Sequence, residues 1–372
     1  MKKLISALLV IAMLFAMAAC AATPAPAAEE PAAAATEAPA ATEAPAAAPS
    51  FVGISMPTQD LQRWNQDGAN MKEKFEAAGF KVDLQYANNE VATQVSQIEN
   101  MISAGVNVLV IAAIDGKTLT QVLGTAKDAG IKVIAYDRLI MDTDAVNYYC
   151  TFDNYMVGTI QGQYIESSLK LADGGKYTIE ITAGDPADNN ALYFYQGAMD
   201  VLQPYIDSGV ITVVSGQVKF EEVATPAWST ETSQARMEAI LASFYADGTQ
   251  LDACLCSNDS TAKGVTNALA SSYTGKYPIV TGQDCDIANT KDIIAGKQSM
   301  SIFKDTRTLA AQTVQMVSDI LAGKAPEVND TKTYDNGKGI VPTYLCKPVF
   351  ADVNNYKELL IDSGYYTADQ LK

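Results

Sequence analysis

The stretch QVSQIENMISAGVNVLVIA, residues 94–112, joins a helix-length segment to an apolar strand. Val95, Ile98 and Ile102 recur at intervals of three and four residues, which is the apolar stripe of a helix that lies on a sheet. The run VLVIAA (108–113) is apolar at every position, as expected for a parallel strand whose two faces are both covered by helices. This stretch therefore predicts a βαβ unit and an α/β fold.

The same alternation of strand and helix continues on both sides of this stretch. The first half of the chain predicts strands at 51–56, 81–87, 108–113, 132–137 and 148–153, with helices at 61–78, 90–104 and 117–129. The second half predicts strands at 177–184, 210–216, 253–259, 279–284 and 299–305, with helices at 155–171, 190–203, 231–246, 260–271 and 306–322. Residues 234–257 repeat the layout of 94–112, namely helix, Gly-bearing turn and apolar strand. Two similar parallel sheets, and hence two lobes, are predicted.

Composition bounds the size of the fold and the kind of partner. The chain has 372 residues, of which 48% are hydrophobic, enough for about two domains with buried cores. Its formal net charge of -17 makes nucleic acid a poor partner. The chain contains no histidine, which excludes His-dependent catalytic triads and HExxH metal sites. Without an imidazole, no side chain has an ordinary pKa between about pH 5.5 and 8, so ligand affinity is predicted to be nearly flat there.

The N-terminus has the pattern of an export signal. Two lysines precede the apolar run 4–19, which is short for a transmembrane span and typical of a signal peptide. The ending AAC at Cys20 resembles a lipobox, in which the cysteine is acylated; cleavage near the alanines as an ordinary signal peptide is the alternative. Residues 21–50 are almost entirely Ala, Pro, Glu and Thr, a composition that behaves as an extended spacer. The sequence predicts a signal peptide at 1–20, a linker at 21–50 and an extracytoplasmic protein held at the cell membrane by a lipid on Cys20.

Five further cysteines follow, and an odd number cannot all pair internally. They are Cys150, Cys254, Cys256, Cys285 and Cys346. Cys254 and Cys256 alternate with a leucine on a predicted strand, so both thiols point to one face, and this spacing is unlike a zinc knuckle. We interpret the five as small buried apolar residues. A bridge from Cys254 or Cys256 to Cys285 is the alternative.

Polar side chains follow nearly every predicted strand. In open parallel sheets the ligand crevice lies beyond the carboxyl ends of the strands, so these side chains are candidates for ligand binding. They are Asp60, Arg63, Asp115, Asp137 and Arg138 in the first half, and Asp185, Asp188, Asn189, Asn190, Asn258, Asp259, Asp284 and Lys304 in the second. Asp or Asn after a strand is also a common helix N-cap, which is the alternative for Asp115, Asp185, Asp188, Asn189 and Asp259. An ion pair within one lobe is the alternative for Asp137 and Arg138.

The two tryptophans of the chain fall one in each predicted lobe. Trp64 opens the first helix, and Trp228 lies in the loop TPAWST (225–230). A sugar has apolar C–H faces that stack on aromatic rings, while its hydroxyls must recover the hydrogen bonds they lose to water. Tryptophan is more often a core residue, but rings beside Asp, Asn and Arg suit a sugar held between two lobes.

Several of these phrases together resemble one known family. QIENMISAGVNVLVIAAIDG, GIKVIAYDRLI, CSNDST, GQD, IFKDTR and EVNDTKTYDNG are similar to the periplasmic multiple-sugar-binding receptors of the ChvE type and to the xylose-binding proteins of ABC transporters, over residues 51–372. The resemblance implies a type I periplasmic-binding-protein fold, with two Rossmann-like lobes joined by three crossing strands. The implied crossings lie near 151–154, 302–305 and 331–343. The implied lobes are 51–153 plus 304–335 (N-terminal) and 154–303 plus 336–372 (C-terminal).

The resemblance also implies a function and a set of ligand contacts. The family binds neutral aldoses such as glucose, galactose, xylose and arabinose in the interlobe cleft, by hinge closure, for the permease subunits of an ABC transporter. No catalytic residue, cofactor or metal is implied. The ligand contacts implied for this chain are Arg63, Trp64, Asp115, Asp137, Arg138, Asn190, Trp228, Asn258, Asp284 and Lys304.

Three other functions compete with this one. Paired carboxylates in a cleft could serve as the acid and base of a carbohydrate-active hydrolase. A sugar-sensing receptor that signals to a membrane partner, such as a chemoreceptor or a sensor kinase, would use the same fold. A sugar-responsive transcription factor would need a basic helix-turn-helix before the first strand, where this chain has an export signal and an acidic spacer. Fold alone does not decide function, and the export signal favours a transport receptor.

Overall fold

Alternating strands and helices begin at Phe51, where the apolar pattern predicts them. The structure, a computed structural model, describes residues 49–372, so the predicted signal peptide, Cys20 and nearly all of the linker lie outside the described residues. The elements of the first half are β1 (Phe51–Met56), α1 (Gln62–Ala77), β2 (Lys81–Tyr86), α2 (Val91–Ser103), β3 (Val108–Ile111), α3 (Thr120–Asp128), β4 (Lys132–Tyr136) and β5 (Tyr148–Phe152). Each corresponds to a predicted element, with ends that shift by at most a few residues.

The second half repeats the alternation and then adds short elements at its end. Its elements are α4 (Asn154–Leu169), β6 (Tyr177–Thr182), α5 (Asn189–Asp207), β7 (Ile211–Val213), α6 (Phe220–Val223), α7 (Thr230–Phe244), β8 (Ala253–Cys256), α8 (Asp259–Ser272), β9 (Ile279–Val280), α9 (Ile287–Ile294), β10 (Met300–Phe303), α10 (Thr306–Leu321), β11 (Thr343–Cys346) and β12 (Val349–Asp352). The helices α6 and α9 were not predicted, and the last two strands lie in the tail around 346–350, which the sequence predicts to supply closing elements to both lobes without giving their bounds.

Two parallel sheets form the two lobes. The first has the strand order β11-β5-β4-β3-β1-β2 and the second the order β7-β6-β8-β9, and all neighbours in both sheets run parallel. A separate antiparallel pair joins β10 to β12. In a parallel sheet all carboxyl ends lie at the same edge, and each lobe therefore presents one edge of loops at which a ligand can bind. The predicted α/β fold with two parallel-sheet lobes is confirmed.

The third crossing between the lobes lies later in the chain than the resemblance implied. β11 pairs with β5 in the first sheet, with Tyr344 opposite Cys150, whereas β12 pairs with β10. The chain therefore passes between the lobes at residues 347–348, not near 331–343, and β11 does not belong to the second lobe as the boundary at 336 required. Parallel pairing along the exposed edge of β5 satisfies backbone groups that would otherwise lack partners, and this outweighs the weak apolar signal of a four-residue strand.

The apolar pattern of β3 is explained by cores on both faces of the first sheet. Leu109 and Ile111 pack into one core, together with Ile98 of α2. Val108 and Val110 pack into the other, on the opposite face. Successive side chains of a strand point to opposite faces, so a strand covered by helices on both sides is apolar at every position.

The five cysteines of the described region are all buried, and none forms a disulfide within residues 49–372. The prediction that they are small buried residues is confirmed, and the alternative bridge to Cys285 is wrong. Between Pro49 and Lys372 no cluster of side chains has the composition of a metal site. No helix of this same region is long and apolar enough to cross a membrane.

Candidate ligand-binding site

A cavity with about 300 Å³ of empty space, part of it open to solvent, lies between the carboxyl edges of the two sheets. Nine of the ten predicted ligand residues line it: Arg63, Trp64, Asp137, Arg138, Asn190, Trp228, Asn258, Asp284 and Lys304. Asp188, a strand-end candidate from the sequence, also lines the cavity, whereas sequence reasoning missed three more lining residues, namely Leu61, Phe194 and Gln283. Residues far apart in the sequence meet here because both lobes direct their strand ends to the same space.

Asp115 is the one predicted ligand residue that the structure does not bring to this cavity. It lies beyond the end of β3 in a half-buried turn, where its Oδ1 accepts a hydrogen bond from the backbone N–H of Lys117 at 2.8 Å. Its own carbonyl accepts from Thr118. The carboxylate is thus occupied by the turn that follows β3. It does not cap α3, whose N-cap residue is Leu119, so the helix N-cap that stood as its alternative is not observed either.

Arg63 is the centre of the charges in the cavity. It lies in the first turn of α1, and its Nη2 is 2.8 Å from Asp67 Oδ2 and 2.9 Å from Asp137 Oδ2. Its Nη1 reaches Asp284 of the second lobe at 3.3 Å. Lys304 Nζ lies 3.0 Å from Asp284 Oδ1 and 3.9 Å from Asp137 Oδ2. All five side chains are less than a tenth exposed, so water screens these charges weakly.

Arg138 connects the lobes in a second place. Its Nε lies 2.9 Å from Asp188 Oδ2, and its Nη1 donates to the carbonyls of Ala113 and Ile114 at 3.0 and 3.2 Å. The alternative in which Arg138 pairs with Asp137 is wrong, because Asp137 pairs with Arg63. Arg138 is thereby fixed against the end of β3, with its guanidinium at the wall of the cavity.

Burial and neighbouring charges act in opposite directions on the cavity carboxylates. Burial opposes ionisation of Asp137, but Arg63 and Lys304 outweigh it and lower the pKa of this group below its ordinary value. For Asp188 burial is the larger effect and raises the pKa, against the opposing charge of Arg138. Asp137 is therefore an ionised hydrogen-bond acceptor at neutral pH.

Two carboxylates behind the cavity, the buried Asp67 and the half-buried Asp286, have pKa values raised towards neutrality. Burial raises the pKa of Asp67 to about 6, against the charge of Arg63. Burial and then the charge of Asp284 raise the pKa of Asp286 to about 7. The prediction of nearly flat ligand affinity between pH 5.5 and 8 used the pKa values of solvated side chains, which burial does not preserve.

Both tryptophans lie at the wall of the cavity. Trp64 is 2% exposed and also packs in the first-lobe core, while the guanidinium carbons of Arg63 and Arg138 lie 4.4 and 5.1 Å from its ring centroid. Trp228 is 4% exposed, and its ring centroid lies 6.3 Å from that of Phe194. Neither indole Nε1 has a hydrogen-bond partner among residues 49–372. Each ring can therefore both stack on a ligand and donate a hydrogen bond to it.

Three cavity residues have the positive φ angles that non-glycine residues rarely adopt. Asp137, Trp228 and Asp284 have φ values of 58, 55 and 98°. Such conformations cost of order 1–3 kcal/mol each and persist where the surrounding structure imposes them, often at binding sites. At these positions the backbone conformation turns the side chain out of the sheet and into the cavity.

The amide side chains combine structural and lining roles. Asn258 is the N-cap of α8, since its Oδ1 accepts from Thr261 N–H at 2.9 Å. Asn190 accepts from the Tyr149 hydroxyl at 2.9 Å and donates to the carbonyl of Asp137 at 2.6 Å. Gln283 donates from Nε2 to a backbone carbonyl, and its Oε1 has no partner within the described chain. Gln283 lies between Gly282 and the predicted Asp284. Its position at the end of a predicted strand is the only feature of the sequence that could have identified it as a lining residue.

Comparison with known proteins places this geometry in a family. The model of the periplasmic binding protein domain matches residues 52–325. The multiple sugar-binding periplasmic protein SbpA of Azospirillum brasilense is 52% identical over 86% of this chain and 91% of its own length. The D-xylose-binding periplasmic protein of Escherichia coli (strain K12) is 37% identical over 86% of this chain and 92% of its own.

A solved structure gives the same result. The ABC transporter solute binding protein from Clostridium phytofermentans, solved with bound β-D-glucose, is 68% identical to this chain and has a TM-score of 0.86. The similarity covers 87% of this chain and 100% of that protein. With the family model and these relatives in agreement, the chain belongs to the type I periplasmic-binding-protein family, whose members include the multiple-sugar-binding receptors and the D-xylose-binding proteins.

Proposed function

We propose that the protein is the extracytoplasmic receptor of a sugar ABC transporter and that it is not an enzyme. It binds a neutral monosaccharide of the glucose, galactose, xylose or arabinose type. The observation that carries this proposal is the convergence of charged, amide and indole groups from both lobes on one cavity between them.

The chemistry of the cavity matches the surface of a sugar. The carboxylates of Asp137 and Asp284 accept hydrogen bonds from hydroxyls, and Lys304 Nζ donates them. The indole rings cover the apolar C–H faces of the ligand. Hydrogen bonds to charged groups contribute about 1.5–3 kcal/mol each, so a few of them together support micromolar or tighter binding.

The balance of charge in the cavity favours a neutral ligand. Its lining contains three cations, Arg63, Arg138 and Lys304, and three carboxylates, Asp137, Asp188 and Asp284. These six groups pair with one another across distances of 2.9 to 3.9 Å. An anionic or cationic sugar would leave one charge of the lining without a partner, which is costly in a buried site.

Contacts between the lobes support capture by hinge closure. Asp188 of the second lobe pairs with Arg138 of the first, and Asn190 donates to the carbonyl of Asp137. Farther along the rim, Gln62 Oε1 accepts from the N–H of Ile287 at 3.1 Å. A sugar that touches both lobes binds the closed form better than the open one and shifts the population towards closure.

The relatives favour glucose as the first sugar to test and a transporter as the partner. The 68% identical protein is described as an ABC transporter solute binding protein and contains β-D-glucose. By this kinship the receptor delivers its sugar to the permease subunits of an ABC transporter. A lipid on Cys20 holds it at the cell membrane, in the periplasm or at the outer face of the cytoplasmic membrane, and a chemoreceptor or sensor kinase is the second partner that the same kinship suggests.

The hydrolase alternative fits the cavity less well. A glycosidase needs one carboxyl group with a raised pKa as the acid beside a second one as base or nucleophile. Asp137 has a lowered pKa, and Asp137 and Asp284 are both held by Arg63 and Lys304. Asp188 has a raised pKa, but Arg138 lies 2.9 Å from its Oδ2, and its Oδ1 accepts from the N–H of Asn190. Carboxylates fixed in this way accept hydrogen bonds but are poorly placed to donate a proton.

A thermal-shift screen against aldoses, followed by calorimetry on the best of them, tests the proposal. We expect glucose or a related aldose to raise the melting temperature saturably and to bind with a micromolar or lower Kd. Incubation with nitrophenyl glycosides should release no nitrophenol. A protein that binds none of the aldoses, or that hydrolyses a glycoside, would contradict the proposal.

A further inference from the structure

Asp67 is a buried carboxylate that contacts the ligand cavity only through Arg63. It lies one helical turn after Arg63 on α1, is 0% exposed, and does not line the cavity. Its Oδ2 accepts from Arg63 Nε at 3.0 Å and from Nη2 at 2.8 Å. Its Oδ1 accepts from the hydroxyl of Tyr136 at 2.5 Å. Tyr136 of β4 thus fixes one oxygen of the Asp67 carboxylate, and the other oxygen binds the guanidinium of Arg63.

Three carboxylates compete for the same guanidinium. Asp67 takes the Nε–H and a share of Nη2, while Asp137 and Asp284 take the rest at 2.9 and 3.3 Å. The last two line the cavity, and each hydrogen bond that Arg63 makes to them uses an acceptor site that a sugar hydroxyl could take. The guanidinium of Arg63 can therefore lie closer to Asp67 on α1 or closer to the two cavity carboxylates.

The groups that face Asp67 come from every element packed on this part of α1. They are Arg63 on α1 itself, Tyr136 and Asp137 at the end of β4, Tyr86 on β2, and Tyr365 in the C-terminal segment. Arg63 is the one cation among them. Burial raises the pKa of Asp67 to about 6, against the opposing effects of Arg63 and of the Tyr136 hydrogen bond. The carboxylate is therefore charged at neutral pH and becomes neutral in mildly acidic solution.

We propose that Asp67 is the positioning residue for Arg63. The charge of Asp67 draws the guanidinium back from Asp137 and Asp284, so that these two can accept sugar hydroxyls. Acid protonates Asp67, releases the guanidinium and thereby weakens sugar binding. The inference rests on the proposed sugar-binding function. When Asp67 is neutral, Arg63 turns towards the remaining carboxylates and occupies them. Sugar affinity then falls although no residue that touches the sugar has titrated.

The orientation of Arg63 can be followed without any sugar. The chain has four arginines, so protein labelled with ¹⁵N-arginine gives few Nε–H signals, and Arg63→Lys identifies that of Arg63. We expect this signal to titrate with a midpoint near pH 6 in the wild type and to be flat in Asp67→Asn. Tyr136→Phe removes a hydrogen bond that stabilises the ionised form, so its midpoint should move to higher pH.

Sugar affinity supplies the second measurement, with D-glucose as the probe in calorimetry at pH 5 and 7.5. The Kd of the wild type should be about tenfold higher at pH 5 than at pH 7.5. A tenfold change is at the lower end of what the loss of a hydrogen bond to a charged group causes. Asp67→Asn should bind weakly and should change in Kd between the two pH values much less than the wild type. Asp319→Asn is the matched control, because Asp319 accepts from Gln315 in the same i,i+4 geometry on the exposed face of α10. It should keep the wild-type profile.

The outcomes separate this inference from the function on which it rests. A wild type that binds glucose with the same Kd at both pH values, or an Asp67→Asn variant that keeps the wild-type pH profile, overturns the role of Asp67. A flat Arg63 signal in the wild type does so independently, even if Asp67→Asn does not fold. A wild type that binds no aldose while its Arg63 signal titrates near pH 6 overturns the sugar-binding function but not the hold on Arg63.

Discussion

The indole ring of Trp228 lies against the backbone of Gly184, so close that a Cβ on this glycine would overlap the ring. Gly184 lies just beyond the end of β6. The N–H of Thr225, in the loop before Trp228, donates to the carbonyl of Gly184 at 2.9 Å. Because Gly184 has no side chain, the ring of Trp228 can lie directly against its backbone. This contact, together with the positive φ of Trp228, holds the indole at the cavity wall.

Adding a methyl group at Gly184 should displace this ring. Gly184→Ala is expected to weaken sugar binding nearly as much as Trp228→Ala, which should cost about 1–3 kcal/mol as the loss of a buried aromatic contact. Calorimetry with the best-bound aldose measures both. Gly124→Ala is the control, since a Cβ there meets no atom within 4 Å and helix α3 tolerates alanine well. If Trp228→Ala binds as tightly as the wild type, the ring is structural only.

Asp284 should matter at least as much as the ring. Its Oδ1 lies 3.0 Å from Lys304 Nζ and 3.3 Å from Arg63 Nη1, so Asp284→Ala leaves two buried cations with one partner fewer. We expect a loss of about 1.5–3 kcal/mol in sugar binding, because hydroxyls bound by the carboxylate also lose their acceptor. Asp144→Asn, which changes an exposed surface pair with Lys127, should leave the Kd unchanged. Equal affinity of Asp284→Ala and wild type would remove Asp284 from the site.

The sequence predicted the lobes and most of the cavity for one physical reason. Covered parallel strands must be apolar, and the polar groups that follow them have only the strand-end edge to occupy, so Arg63, Asp137 and Asp284 could be placed before their contacts were known. Asp115 was misplaced because its carboxylate is satisfied by its own turn. Asp188 was a candidate for ligand binding with a helix N-cap as its alternative, and it has both roles, since it lines the cavity and its side chain accepts from the N–H of Asn190.

Other features lie beyond what residue patterns can show. The strand β11 has four residues and gains its place by pairing with β5, a long-range contact with no local signal. The pKa values of Asp67 and Asp286 depend on burial by residues distant in the sequence. The absence of histidine correctly excluded imidazole chemistry but could not exclude other groups that titrate near neutrality.

The membrane anchor is predicted from residues outside the described structure and is tested in cells. Labelling with an alkyne fatty acid should tag the wild-type protein, because the apolar run before Cys20 ends in a lipobox-like AAC. Cys20→Ala should lose the tag and leave the membrane fraction. A mature wild-type chain that begins at a residue other than Cys20, as read by mass spectrometry, would identify an ordinary signal peptide.

The pH dependence of stability should reveal Asp286. One of its carboxylate oxygens, Oδ1, is buried without a partner among the described residues, and Asp284 lies near it. Its pKa rises from 3.8 in the unfolded chain to about 7 in the folded protein. Between these values the folded protein binds more protons than the unfolded chain, so this group lowers the free energy of unfolding as pH rises from about 4 to 7.

Asp286→Asn removes this penalty while keeping the size of the side chain. The variant should melt at least about 2 °C higher than the wild type at pH 7.5, since a 1 kcal/mol change moves the melting temperature of a large domain by about 2–4 °C. At pH 4, where Asp286 is protonated in the folded protein, the two should melt nearly together. Asp128→Asn, at the exposed end of α3, controls for the loss of one negative charge and should show no such difference. An Asp286→Asn variant that melts below the wild type at pH 7.5 would contradict this prediction. It would show that the ionised carboxylate stabilises the fold, although Oδ1 has no hydrogen-bond partner within residues 49–372.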